Sequence, residues 1–161
     1  MSPGSAQVRA RLVEDPAVTG AITVTVSPGA AGPATLVAID GGLTHTVAFD
    51  SEGAVWSWGA NLLGQFGSGS LQPSQTSTPV RALIDDVIAV AAGDHFSVAV
   101  RSDGTVWAWG SNGNGQVGTG AEGDWQTTPV QVTGIEDAVA VSARASTAAA
   151  LLADGTVMAW G

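Results

Sequence analysis

The residues that could do chemistry are few. Gly113-Asn114-Gly115-Gln116-Val117-Gly118 matches the Gly-x-Gly-x-x-Gly spacing of a dinucleotide-binding turn. Such a turn needs a following helix whose N-terminus faces the pyrophosphate. Thr119-Gly120-Ala121-Glu122-Gly123-Asp124 starts none, so the segment reads as a structural turn and no cofactor is expected. His45 and His95 are the only imidazoles, with Asp40, Asp50 and Asp94 nearby in sequence and many hydroxyl side chains to choose from. A Ser-His-Asp set assembles in space rather than in sequence, so spacing alone does not exclude one. The simpler expectation is that His45 bonds a backbone group inside its own structural unit, and that the two histidines, at different phases of the pattern described below, do not face each other. Two histidines without further ligands at metal-binding spacing make no metal site. With no cysteine in the chain, thiolate zinc sites, disulfides and cysteine nucleophiles are excluded. The sequence thus predicts no catalytic, cofactor or metal residues and no enzyme.

What must position any functional residue is a repeat. Val55-Trp56-Ser57-Trp58-Gly59 returns as Val106-Trp107-Ala108-Trp109-Gly110 and as Val157-Met158-Ala159-Trp160-Gly161, each 51 residues on. Shifted by that period, residues 42–69 match 93–120 at 14 of 28 positions without a gap, so the units are duplicates. Within a unit, short β-prone runs such as Val87–Ala92, Ser97–Val100 and Thr105–Trp109 are punctuated by Gly, and Ser102-Asp103-Gly104 reads as a hairpin turn in which both Asp and Gly tolerate positive φ. These runs are too short for ordinary helices. Along 105–109 the two Trp share one face and the small residues the other. Trp56, Trp58, Gly59, Trp107, Trp109, Gly110, Trp160 and Gly161 are therefore structural positions, with the Trp rings in the core between stacked sheets.

The Trp-Gly strand, the Gly-x-Asn-x-x-Gly-Gln-x-Gly-x-Gly pattern around it, the Thr-Pro-Val at 78–80 and 128–130, and the Ala-Ala-Gly at 91–93 before a His-containing strand together resemble the regulator of chromosome condensation repeat. The likeness covers residues 35–161, about two and a half units. It extends more loosely to beta-lactamase-inhibitory protein II, another propeller. The resemblance implies an all-β fold of four-stranded propeller blades, seven in a full ring, here incomplete. The chain departs from the pattern at Phe96 and Thr147, where His45 stands in the first unit, at Arg144 in place of Gly, and at Met158 in place of Trp. An incomplete ring would leave open sheet edges. The chain accordingly reads as a fragment of a longer protein, or as one that pairs with missing blades or another chain.

Residues 1–34 lie outside the repeat. Val8–Val13 and Ala21–Val26 read as strands, Glu14-Asp15-Pro16 as a loop, and 28–34 as a linker; the whole is a non-repeat β segment or linker. Fourteen acidic residues against five arginines and no lysine give a net charge of −9. Phosphate neutralisation needs clustered cations, so no nucleic acid is expected as partner. The sequence has neither an apolar span long enough to cross a membrane nor a signal-peptide pattern, so no membrane partner is expected and the compartment stays open. Asp85-Asp86 and Glu136-Asp137 recur at the same place in successive units, as solvated surface turns or as an acidic rim.

Function is then sought where the copies disagree. Trp125, amid Glu122, Gly123 and Asp124, has no counterpart in the first unit. Leu71 and Gln72 fill the matching variable loop, and Leu62 and Leu63 stand where the second unit has Gly113 and Asn114. An aromatic residue on a loop of a rigid scaffold suits a binding hot spot, the other reading being that Trp125 folds back over the sheet edge. The sequence therefore predicts a protein–protein interaction scaffold. The family likeness implies an alternative, a regulator acting like a GTPase exchange factor or an enzyme inhibitor. A propeller hydrolase would have to use His45 or His95.

Overall fold

The computed structural model describes residues 7–12, 22–27 and 34–161. Strands β1 (Gln7–Leu12) and β2 (Ile22–Ser27) pair antiparallel as a separate two-stranded sheet. The expected 14–16 loop and nearly all of the 28–34 linker lie outside the described residues, as do Val13 and Ala21.

From Ala34 on, the chain folds as three successive propeller blades, each an antiparallel meander. The first has the order β3 (Leu36–Gly41), β4 (His45–Asp50), β5 (Val55–Ala60), β6 (Gln75–Arg81). The second repeats it with β7 (Val87–Ala92), β8 (Phe96–Arg101), β9 (Val106–Ser111) and β10 (Trp125–Gln131). The third has three strands, β11 (Ala138–Arg144), β12 (Thr147–Leu152) and β13 (Val157–Trp160). The fold is all-β and the propeller is incomplete, as the repeat predicts.

The core lies between blades. Val47, Phe49, Val55, Ala82 and Ile84 of blade 1 pack on Val87, Ala92, Ala99 and Trp109 of blade 2. Phe96, Val98, Val100, Val106 and Ala108 of blade 2 pack likewise on Ala138, Ala148, Ala150 and the half-buried Trp160 of blade 3. This explains the small residue between each pair of aromatic positions. Ser57 and Ala108 occupy the face that receives the next blade, where a bulky side chain would hold the sheets apart.

Successive blades are also tied by backbone. The Gly53 carbonyl accepts from Val87 N (3.0 Å) and the Gly104 carbonyl from Ala138 N (2.9 Å). Asp86 and Asp137, just before those acceptor-seeking amides, have φ of 60° and 57°. Asp tolerates this left-handed conformation better than most residues. The recurring acidic pair is thus more than a solvated turn, because its second member shapes the entry into each blade. The hairpin turns also differ from expectation. Gly104 takes positive φ (79°) but Asp103 does not; its carboxylate instead accepts from Thr105 N (3.0 Å) and the Thr105 hydroxyl (2.6 Å). Those bonds hold the exposed Asp103 carboxyl below its ordinary range.

Candidate functional site

The loops that carry the variable residues are built by two side chains per repeat. In blade 1, Asn61 accepts from Phe66 N (3.0 Å) through its side-chain oxygen and donates to the Ser70 carbonyl (2.9 Å). Gln65 accepts from Leu63 N (2.8 Å). In blade 2, Asn112 accepts from Val117 N (3.0 Å) and donates to the Ala121 carbonyl (2.9 Å), while Gln116 accepts from Asn114 N (2.8 Å). All four side chains are buried. They supply the partners that irregular backbone needs when water is excluded. The Gly-x-Gly-x-x-Gly segment is therefore a turn fixed from within, as predicted, with no helix after it.

The Gln backbone matters as much as its side chain. The Gln65 carbonyl accepts from Trp109 Nε1 (2.8 Å), and the Gln116 carbonyl from Trp160 Nε1 (2.8 Å). Each Trp thus pins its blade to the loop of the blade before. Trp109 is fully buried, and Trp58, Trp107 and Trp160 are half-buried. Trp56 is buried and donates to Asp50 Oδ2 (2.8 Å), and Trp107 donates to the Thr105 hydroxyl (2.9 Å). Gly59, Gly110 and Gly161 all take positive φ of 100–109° against the start of the preceding strand.

On this frame the variable residues come to one end of the blades. Leu62 and Trp125 are exposed, at 66 % and 42 %. Gln72, Glu122 and Asp124 are exposed, and Leu63 and Leu71 half-buried. Trp125 opens β10 opposite Ser111 rather than sitting within the loop. Its neighbours Gln126 and Thr127 lie directly against Gly64, the residue after Leu62-Leu63, and Gly69 N donates to the Thr127 carbonyl (2.8 Å). The blade 1 loop and the start of β10 therefore adjoin.

His45 departs from expectation. Its Nε2 bonds a side chain of the next blade, Ser97 Oγ (2.9 Å), and not a backbone group of its own. Ser97 in turn donates to the Gln65 carbonyl (3.1 Å), so the imidazole carries its proton on Nε2. A buried Ser–His pair invites comparison with a nucleophile and its base. Ser97 is wholly buried, however, its proton is given to a carbonyl, and no carboxylate orients His45, whose Nδ1 has no partner among the described residues. The pair is an interblade contact. The histidines are also closer than their phases suggest, because Thr44 Oγ1 lies 3.3 Å from His95 Nδ1 across the blade boundary.

Burial, with His95 adding and Asp40 opposing, pushes the His45 pKa down to about 4. The unfolded imidazole takes its proton near pH 6.5, so between 6.5 and about 4 the unfolded chain binds more protons. His45 favours the fold fully above that window, and the stabilisation is lost as pH falls through it, on the order of 3 kcal/mol. Urea midpoints measured across pH 4–6.5 should fall in the native chain and stay flatter in His45→Phe, which copies Phe96 of blade 2. Equal slopes would sink the assignment.

One pattern escaped the sequence reading. Val37, Ile88 and Val139, 51 residues apart, are the extra residues of a bulge in each innermost strand and are 58, 47 and 48 % exposed. A bulge re-aims a side chain out of the ladder. Their equal spacing was available as a signal; the bulges themselves are properties of strand pairing.

Family models for the regulator of chromosome condensation (RCC1) repeat match residues 36–65 and 87–116, and again 52–100 and 103–151. The chain is 34 % identical over 128 residues to the mouse E3 ubiquitin-protein ligase HERC2, covering 78 % of this chain and 3 % of that protein. It is 42 % identical over 100 residues to the Xenopus laevis regulator of chromosome condensation, covering 61 % of this chain and 23 % of the relative. The crystal structure of yeast RCC1 (Prp20) bound by Kap60 superposes with a TM-score of 0.68 at 21 % identity, over 86 % of this chain and 39 % of that one. The chain thus spans well under half the length of each. The matched segments are those whose Asn, Gln, Gly and Trp residues build the loops and join the blades: the chain belongs to the regulator of chromosome condensation (RCC1) repeat family.

Proposed function

We propose that the chain is a non-enzymatic protein-interaction scaffold whose blades present Leu62, Leu63, Leu71, Gln72, Glu122, Asp124 and Trp125 to a protein partner. One observation carries this reading: the loop fixed by buried Asn61 and Gln65 holds Leu62, and the start of β10 holds Trp125, out to solvent on adjoining segments. Rigid display of an aromatic and an aliphatic residue lowers the ordering cost of binding. The acidic Glu122 and Asp124 beside Trp125 favour a basic partner surface and argue against nucleic acid or an anionic membrane. A protein partner also fits the relatives, since yeast RCC1 is bound by Kap60 in its structure. The identity to the Xenopus regulator supports a second reading, in which binding regulates the partner as an exchange factor or inhibitor does.

A photo-crosslinking residue placed at Trp125 should capture a partner that the same residue at exposed Asp154 does not. Trp125→Ala combined with Glu122→Lys should abolish capture from a probe at Leu62, while changing stability by less than about 0.5 kcal/mol at each exposed position. Undiminished capture by that double variant would refute the loop assignment.

A further inference from the structure

We propose that Asn114 is a site of spontaneous covalent modification, where the folded chain converts asparagine to isoaspartate and aspartate, while the neighbouring Asn112 is protected from the same reaction. It does not rest on the partner reading above. An asparagine followed by glycine reacts with the next residue's backbone, because glycine has no side chain to hinder the approach. The Gly115 amide nitrogen attacks Asn114 Cγ and gives its proton to solvent hydroxide. The new N–Cγ bond closes a five-membered imide as the Cγ–Nδ2 bond breaks, and the departing nitrogen, protonated by water, leaves as ammonia. Water then adds to one of the two imide carbonyls. Cleaving the bond from the nitrogen to the main-chain carbonyl carbon gives isoaspartate, and cleaving the bond to Cγ gives aspartate. Overall, a side-chain amide and water become a carboxylate and ammonium.

The sequence offers this reaction twice, at Asn112-Gly113 and Asn114-Gly115, and the matching loop of blade 1, Asn61-Leu62-Leu63-Gly64, does not offer it. The structure separates the two. Asn112 is buried, its Oδ1 accepts from Val117 N (3.0 Å) and its Nδ2 donates to the Ala121 carbonyl (2.9 Å). Its Cγ reaches Gly113 N only by breaking both bonds where water cannot replace them. Asn114 is exposed, and among the described residues only its backbone amide is held, by Gln116 Oε1 (2.8 Å). Its obstacle is the nucleophile, because the Gly115 amide donates to the Asn112 carbonyl (3.1 Å). One hydrogen bond in a surface turn opens far more often than two buried ones. Access to the position survives a covering strand: Leu63, its counterpart in blade 1, is half-buried although the β10 backbone lies against the next residue, Gly64.

Conversion alters the loop in two respects. It adds a negative charge to a loop that already carries Glu122 and Asp124. Isoaspartate also puts one more atom into the main chain between Asn112 and Gln116, whose side chains hold the turn. The Gln116 carbonyl is the one that receives Trp160 Nε1 (2.8 Å), so the joint between blades 2 and 3 changes as the molecule ages.

The test incubates the whole chain at mildly alkaline pH, folded and in urea. Mass spectrometry with fragmentation then follows the tryptic peptide 102–144, which Arg101 and Arg144 delimit and which holds both sites. In the folded chain Asn114 should convert about two- to tenfold more slowly than in urea, the effect of opening one hydrogen bond. Isoaspartate, separated by chromatography, should be the larger product. Asn112 should convert about a hundredfold more slowly folded than in urea. Asn114→Gln, whose longer side chain would have to close a six-membered ring, should leave the folded chain unconverted. The proposal is overturned if folded Asn112 converts as fast as Asn114, if folding slows Asn114 as much as Asn112, or if the folded variant converts at the native rate.

Discussion

Truncating Trp109 to alanine is expected to cost the fold about 3–5 kcal/mol, near the upper end for a single core substitution. Three losses combine. The ring is wholly buried between blades 1 and 2, so its removal exposes or empties the centre of that interface. Its Nε1 proton no longer reaches the Gln65 carbonyl, which keeps only the Ser97 hydroxyl. The ring also covers Gly67, where a Cβ would lie 2.8 Å from Nε1, so the loop that carries Leu62 and Leu63 loses its support. Trp109→Phe separates the terms, since it keeps most of the apolar area and removes the donor, for about 1–2 kcal/mol. Trp160→Ala deletes the same bond at a half-buried ring and should cost clearly less than Trp109→Ala. Urea denaturation of the three variants checks the order. Equal losses at 109 and 160 would show that the hydrogen bond, and not burial between blades, dominates.

This ranking of Trp residues was only partly legible in the sequence. A fixed period reports that Trp58, Trp109 and Trp160 are equivalent, and hence that they stack sheets. It does not report that Trp109 is buried while the other two are half-exposed, because burial depends on which blades flank each copy. The Asn and Gln at 61, 65, 112 and 116 were visible as recurring letters within a glycine pattern, yet their role is geometric: between them they satisfy backbone groups two to twelve residues away, and nothing in composition announces it. His45 misled for a related reason. Reasoning within one unit finds partners within that unit, whereas a propeller puts residue 45 against residue 97. The variable loops could be named from sequence as places where the copies disagree. That the blade 1 loop and the start of β10 adjoin follows only from how blade 1 sits on blade 2.

The same interblade logic makes two departures in the third unit parts of one change. Gly42 faces His45 and Gly93 faces Phe96; at Gly93 a Cβ would fall 1.9 Å from the Phe96 ring, and at Gly42 it would fall 2.2 Å from the Gly93 carbonyl of the next blade and 2.7 Å from the imidazole. Neither glycine has positive φ, so what Gly93 demands is space under the ring and not a special backbone, while Gly42 must also clear the neighbouring Gly93 carbonyl. In blade 3 the ring is gone and the glycine with it: Thr147 pairs with Arg144. Gly93→Ala alone is therefore expected to cost about 1–3 kcal/mol, because a buried ring must leave its rotamer. Phe96→Thr alone should cost about 3 kcal/mol or more through the cavity between blades 2 and 3. In the Phe96→Thr background, Gly93→Ala should cost almost nothing, and by stiffening the unfolded chain it could return a few tenths of a kcal/mol. The coupling energy of the cycle, about 1–3 kcal/mol, is the measurable signature of the contact. Were Gly93→Ala equally costly in both backgrounds, the ring would not be the reason for the glycine, and Arg144 and Thr147 would be two unrelated substitutions instead of the relaxed form of the same pair.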